Sequence, residues 1–199
     1  IRLATALPAI NVKAIEKKLR SDRGFVWLKR HLTPRQQYAV NHLGIPALNF
    51  QREARRMYPL GSLASHALGF TDIDNKGLSG IERYFDKELR TRQDNMALSI
   101  DVRVQHMLEH ELGAAMKKFS AIGAAGLVMD VDTGEVIAMS SLPSFDPNQP
   151  GAIPQDLRFN RTTLGVYEMG STFKIFTTAM ALDAGTVFHG ELELGITQS

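Results

Sequence analysis

The 199 residues carry 23 Lys and Arg against 21 Asp and Glu, for a formal net charge of +2, and 44% of them are apolar. That is the balance of a chain that folds around a core, and it gives no electrostatic case for nucleic-acid binding. Cysteine is absent, which excludes disulfides, zinc–thiolate sites and a cysteine nucleophile.

The longest apolar run, Ala121 to Met129, is broken by glycine and falls short of the ~18 residues of a membrane span. The chain begins Ile1-Arg2-Leu3, with no initiator Met and no signal peptide, and reads as a processed or excised piece of something longer. Basic residues crowd the first part, among them Lys13, Lys17, Lys18, Arg20, Lys29 and Arg35. The plain reading is a solvated helical face; the alternative is attraction to an anionic membrane surface or polymer.

In chain order, Asn11 caps a helix with Val12, Ile15 and Leu19 on one face. Thr33-Pro34-Arg35-Gln36 spells a capping box with proline in the first turn, and Gly44 is a stop. The stretch NFQREARRMYPLG is extended and charged, and a short helix over 62–68 ends at Gly69. Ser79-Gly80-Ile81-Glu82 spells a second capping box, opening a helix to about Leu89.

At LRTRQDNMALSID a polar linker gives way to a strand, and the domain boundary is placed near residue 95. Asp101 caps a long helix to Phe119, with Val104, Leu108, Leu112, Ala115 and Phe119 on its stripe. AAGLVMDVDTGEVIAMSS is a β-hairpin turning at Asp132-Thr133-Gly134, and LPSFDPNQPG is a loop. The last element is a buried helix starting at Ser171 and stopping near Gly185.

Ser171-Thr172-Phe173-Lys174 is the candidate chemistry. Residues three apart share a helix face, so Lys174 Nζ can reach Ser171 Oγ. A serine hydroxyl needs a base within hydrogen-bond reach, and a lysine serves only if burial or nearby positive charge lowers its pKa. Phe173, Ile175 and Phe176 offer an apolar surround, and a helix N-terminus favours a developing oxyanion. The plainer reading makes Ser171 an N-cap and Lys174 a surface residue.

The neighbouring motifs decide between these. VMDVDTGEVIAMSSLPSFDPN, FNR and YEMGSTFK, preceded by LSIDVRVQ, resemble the start of a penicillin-binding transpeptidase domain. RRMYPLGSLASHALGFTDIDNKGLSGIERYFDKEL resembles the non-catalytic pedestal of class B penicillin-binding proteins, and its GFTDID version is most similar to the septal, cell-division branch.

The resemblance implies an α+β fold. An elongated pedestal (dimerisation-type) domain of short helices and strands spans residues 1–95. The beginning of a penicillin-binding/transpeptidase (serine β-lactamase-like) domain spans residues 96–199 and is incomplete in this chain.

It implies that Ser171 is the acylated nucleophile and Lys174 its proton acceptor. The reaction is cross-linking of peptidoglycan stem peptides, with β-lactams acylating the same serine. No metal or organic cofactor is implied. The implied partners are stem peptides, β-lactams and division-machinery membrane proteins, not nucleic acid. The implied location is the periplasmic side of the bacterial inner membrane, in a membrane-anchored parent.

Three departures stand out. Met169 replaces the family's proline before Gly170-Ser171. The S-x-N and K-[ST]-G motifs do not follow Ser171, and there is no membrane helix. The expectation is therefore a fragment that is inactive by itself, with partly built sheet edges prone to aggregation. Two other functions stay open: a class D-like β-lactamase or penicillin sensor, and a non-catalytic scaffold that docks on division partners.

Arg161 and Glu168 are read as an ion pair bracing the turn before Ser171. His106 and His110 fit H-x-x-E-H but lie opposite the apolar stripe, facing solvent rather than a metal cleft. His66 is read as structural.

Overall fold

The computed structural model describes residues 2–8, 10–91 and 95–186. It divides into two compact units: Ile1–Ser99 with Ser144–Ile153, and Ile100–Pro143 with Pro154–Ser199. Parts of the expected linker and all of HGELELGITQS lie outside the described residues.

The first unit is built from short helices: α1 (Arg2–Ala6), α2 (Val12–Leu19), α3 (Pro34–Asn41), α4 (Ser65–Leu68), α5 (Gly80–Tyr84) and α6 (Asp86–Thr91). Two caps form as the sequence spells them. Asn11 accepts the Ala14 N–H, and Thr33 and Gln36 close a reciprocal box around the first turn of α3. Each such cap satisfies backbone donors that have no partner inside the helix. Leu7, Ile15 and Val40 are buried among these helices.

The strands expected in the first unit do not form among the described residues; a single bridge pairs Thr71 with Gly77. Nor does a strand form over residues 95–99. The charged stretch around Arg52 stays extended without a ladder, and side chains tie it down. Arg30 pairs with Glu53 and Asp74, and Asn75 accepts the Arg56 N–H.

The second capping box also fails. Ser79 makes no side-chain cap, and Gly80 adopts a left-handed φ of +56°. Glu82 is buried and accepts from Arg56 Nε at 2.6 Å instead. A buried carboxylate needs a charged partner more than a helix end needs a cap. The expected single helix to Leu89 is broken into α5 and α6 at Phe85.

Residues 144–153 complete this unit. Phe145 packs edge-on against His66 and Phe70, with ring centroids 4.9 and 5.7 Å apart. Asn148 accepts the Tyr58 N–H at 2.9 Å and donates to the Tyr58 carbonyl at 3.0 Å. Pro147 is fully buried. His66 is thus a packing residue.

The second unit begins with α7 (Val102–Phe119), followed by the antiparallel hairpin β1 (Ala124–Met129) and β2 (Val136–Leu142), α8 (Arg161–Leu164) and α9 (Lys174–Asp183). Asp101 caps α7 by accepting the Arg103 and Val104 N–H groups. The Arg103 side chain, then those backbone donors, hold its carboxyl far below the ordinary carboxylate range.

The stripe of α7 lies on the hairpin where Gly126 leaves room; a Cβ there would meet Leu108 Cδ1 at 2.8 Å. Phe119, expected on that stripe, is instead exposed, because it lies at the far end of α7 beyond the hairpin's cover. The hairpin turns on Asp130, whose carboxylate accepts the Asp132 and Thr133 N–H groups.

The outer edge of β2 is not open, whereas β1, on the other side of the hairpin, has no second strand beside it among the described residues, as the expected exposed edges require. Asp101 donates its N–H to the Ile137 carbonyl. Gln105, 0% exposed, both accepts the Met139 N–H and donates to its carbonyl at 2.9 Å. A side-chain amide here does the work of a neighbouring strand.

Candidate active site

β2 holds the segment that leads to Ser171. Ser141 Oγ accepts the Arg161 N–H at 2.9 Å, and Thr162 Oγ1 donates to the Ser140 carbonyl at 2.9 Å. Asn160 caps α8 through the Thr162 N–H. The chain then passes through residues 165–169 without regular structure and reaches a 3-10 turn over Gly170–Phe173, from which α9 continues.

Ser171 sits inside this turn rather than at the first position of an α-helix. It caps neither the turn nor α9, so the plainer N-cap role is not the one it plays. Met169 stands at φ −74°, within the range a proline would impose. Replacing the family's proline therefore leaves the turn's backbone unchanged and loses only its rigidity.

Ser171 and Lys174 are one turn apart, as expected, but both are exposed, and among the described residues no hydrogen bond joins them. The expected burial of the serine helix is absent: no described residue of α9 is buried. Phe173, Ile175, Phe176 and Met180 are exposed, with the Phe173 and Phe176 rings against each other at 5.3 Å. The apolar side chains of α9 predict an inward-facing helix, yet among the described residues no element covers that face. The desolvation that would make Lys174 a base is therefore not supplied by the described residues.

The expected Arg161–Glu168 pair does not form either. Glu168 is exposed, while the Arg161 guanidinium lies 6.0 Å from the Phe159 ring, under Gly123. Its Nη1 is buried with no partner among the described residues. His106 and His110 are exposed, and His110 lies beside Glu111.

Sequence reasoning missed Gln105, Ser140, Ser141 and Asn148. Gln105 had a signal, because it precedes Leu108 and Leu112 at helical spacing and so shares their inner face. The two serines had one too, at the buried end of a strand pattern.

Two family models match the chain. The penicillin-binding protein dimerisation domain matches residues 2–112 and the penicillin-binding protein transpeptidase domain matches residues 124–192. The chain belongs to the penicillin-binding proteins.

Among curated relatives of this penicillin-binding protein, a probable peptidoglycan D,D-transpeptidase FtsI of Caulobacter vibrioides is 46% identical over 92% of the chain and 32% of its own length. The probable peptidoglycan D,D-transpeptidase PenA of Neisseria gonorrhoeae is 34% identical, over 88% of the chain and 35% of its own length. The peptidoglycan D,D-transpeptidase FtsI of Escherichia coli is also 34% identical, over 82% of the chain and 32% of its own length.

The chain thus spans about a third of the length of these relatives. A solved structure of a peptidoglycan synthetase from Bifidobacterium adolescentis shares the fold with a TM-score of 0.59 at 23% identity, over 94% of this chain and 39% of that one. These relatives are class B penicillin-binding proteins, as the pedestal motifs imply.

Proposed function

We propose that this chain is part of a peptidoglycan D,D-transpeptidase of cell division. The observation that carries the reading is an uncommitted serine hydroxyl in a turn one helical step from a lysine, inside the transpeptidase-domain match. Ser171 Oγ attacks the D-Ala-D-Ala carbonyl of a stem peptide while Lys174 takes its proton. The C–N bond breaks, D-Ala leaves as the amine, and an ester links the peptide to Ser171. An amine of a neighbouring stem then displaces the serine and forms the cross-link. β-Lactams follow the first half and stop at the ester.

Residues 1–95 serve as the pedestal and residues 96–199 as the first part of the transpeptidase domain. The parent protein is anchored in the inner membrane, works on its periplasmic side and meets division-machinery membrane proteins. Among the described residues no helix is long and apolar enough to cross a membrane. By itself this stretch is expected not to form the acyl-enzyme, since Lys174 is exposed.

Intact mass before and after benzylpenicillin tests this. A longer protein carrying this sequence gains one penicilloyl group, lost in Ser171→Ala, whereas the 199-residue chain gains none. No adduct on the longer protein, or one that survives Ser171→Ala, refutes the assignment.

A further inference from the structure

A buried polar strip on β2 holds the root of the segment that carries Ser171. Ser140 and Ser141 are each 2% exposed. Alanine would fill such positions without a hydroxyl to satisfy, so a buried serine needs a reason to be there. The Ser141 hydroxyl accepts the Arg161 N–H at 2.9 Å and donates to the Phe159 carbonyl at 3.4 Å. One residue earlier, the Ser140 carbonyl accepts from Thr162 Oγ1 at 2.9 Å. Adjacent anchors thus fix residues 159–162 to the end of a strand that β1 pairs on one edge and Gln105 clamps on the other.

The path continues toward the nucleophile. Tyr167 Oη donates back to the Arg161 carbonyl at 3.3 Å. The fold-back closes over Gly165, where a Cβ would lie 2.4 Å from both the Arg161 carbonyl oxygen and Tyr167 Oη. No other residue type fits this loop as it stands. Tyr167 is three residues before Gly170, and the turn then closes through the Thr172 N–H to the Met169 carbonyl at 3.2 Å.

We infer that Ser141 and Tyr167 are positioning residues for the Ser171 turn. Ser141 fixes the Arg161 backbone to β2, and Tyr167 ties the approach to the turn onto that same backbone. Neither touches substrate. The inference rests on the reading of Ser171 as the nucleophile.

Amide hydrogen exchange on the 199-residue chain, read residue by residue by NMR, tests it. Ser141→Ala and Tyr167→Phe each accelerate exchange at the Thr172 and Lys174 amides by about fivefold, the factor that one ordinary hydrogen bond supplies. The hairpin amides of β1 and β2 keep their rates, and Ser141→Thr, which retains the hydroxyl, restores the turn. Unchanged rates at Thr172 and Lys174, or equal acceleration throughout the hairpin, overturn the inference. Should Ser141→Ala fail to fold, Tyr167→Phe decides alone, because it removes one hydroxyl from an exposed ring. Exchange needs no acylation, so a failure of the longer protein to bind penicillin refutes the catalytic reading and leaves this measurement standing.

Discussion

The region around Glu82 and the region around Ser171 carry comparable family motifs and have opposite surroundings. Glu82, His66, Thr71 and Phe145 are all buried, and the carboxylate has its Arg56 partner. Ser171 and Lys174 lie in the open on a helix with no buried residue. The first region is a finished structure, and its motif residues act on one another. In the second, among the described residues, the motif side chains meet no buried partner. A motif in a sequence names both kinds of residue alike, and only burial separates them.

Substitutions that strike the closed region break this contrast most strongly. Gly69 has φ +80°, and a Cβ there would lie 1.9 Å from the Ser79 carbonyl oxygen. Gly69→Ala is expected to cost the first unit ~3 kcal/mol or more. Urea denaturation followed by fluorescence reads this directly, since Trp27 is the chain's one tryptophan and lies in that unit.

Phe145→Ala removes a buried ring from between His66 and Phe70 and is expected to cost about 3 kcal/mol. It too should shift the Trp27 transition, although residue 145 follows the hairpin in sequence. An unchanged midpoint would mean that the loop is a passenger.

Gln105→Leu gives the second unit a closed-region test of its own. It leaves the Met139 N–H and carbonyl unpaired at a buried edge and is expected to cost about 2 kcal/mol. Loss of hairpin signals in NMR before those of the first unit would show it.

Tyr58 supplies the pH test. Its hydroxyl is buried near Thr71 and Glu82. Burial first, and then the nearby Glu82 carboxylate, push it from 10.0 up to about 12. An acid whose folded pKa is raised contributes stability that is fully present below pH 10 and is lost as pH rises towards 12. Thermal unfolding of Tyr58→Phe should therefore fall less steeply over that window than that of the parent chain. Equal slopes would place the alkaline loss elsewhere.

The smallest effect belongs to the open region. Phe176→Ala on the exposed face of α9 is expected to change stability by under about 0.5 kcal/mol. A cost comparable to that of Phe145→Ala would show the face to be covered in solution.

These expectations also mark what the sequence made legible. Asn11, Thr33 and Asp101 were readable because an N-cap is a local event, decided within four residues. The hairpin was readable from two apolar runs around a turn. Glu82 was misread as a cap residue because its real partner, Arg56, is 26 positions away and no periodicity points to it. The burial of α9 was misread for the converse reason: apolar side chains state a preference, and fulfilling it takes a second element. Ser171 and Lys174 were found at their spacing, but no local pattern encodes the distance between their side chains.

The insertion of residues 144–153 into the first unit bears on heredity as well as on folding. A genetic crossover near residue 100 would pair one parent's Tyr58, His66 and Phe70 with another parent's Phe145 and Asn148. Such a mosaic keeps its pedestal only if both parents agree at those distant positions. Residues 1–99 and 144–153 are therefore one structural unit interrupted in sequence, and exchanges that take both from one parent are the ones expected to fold.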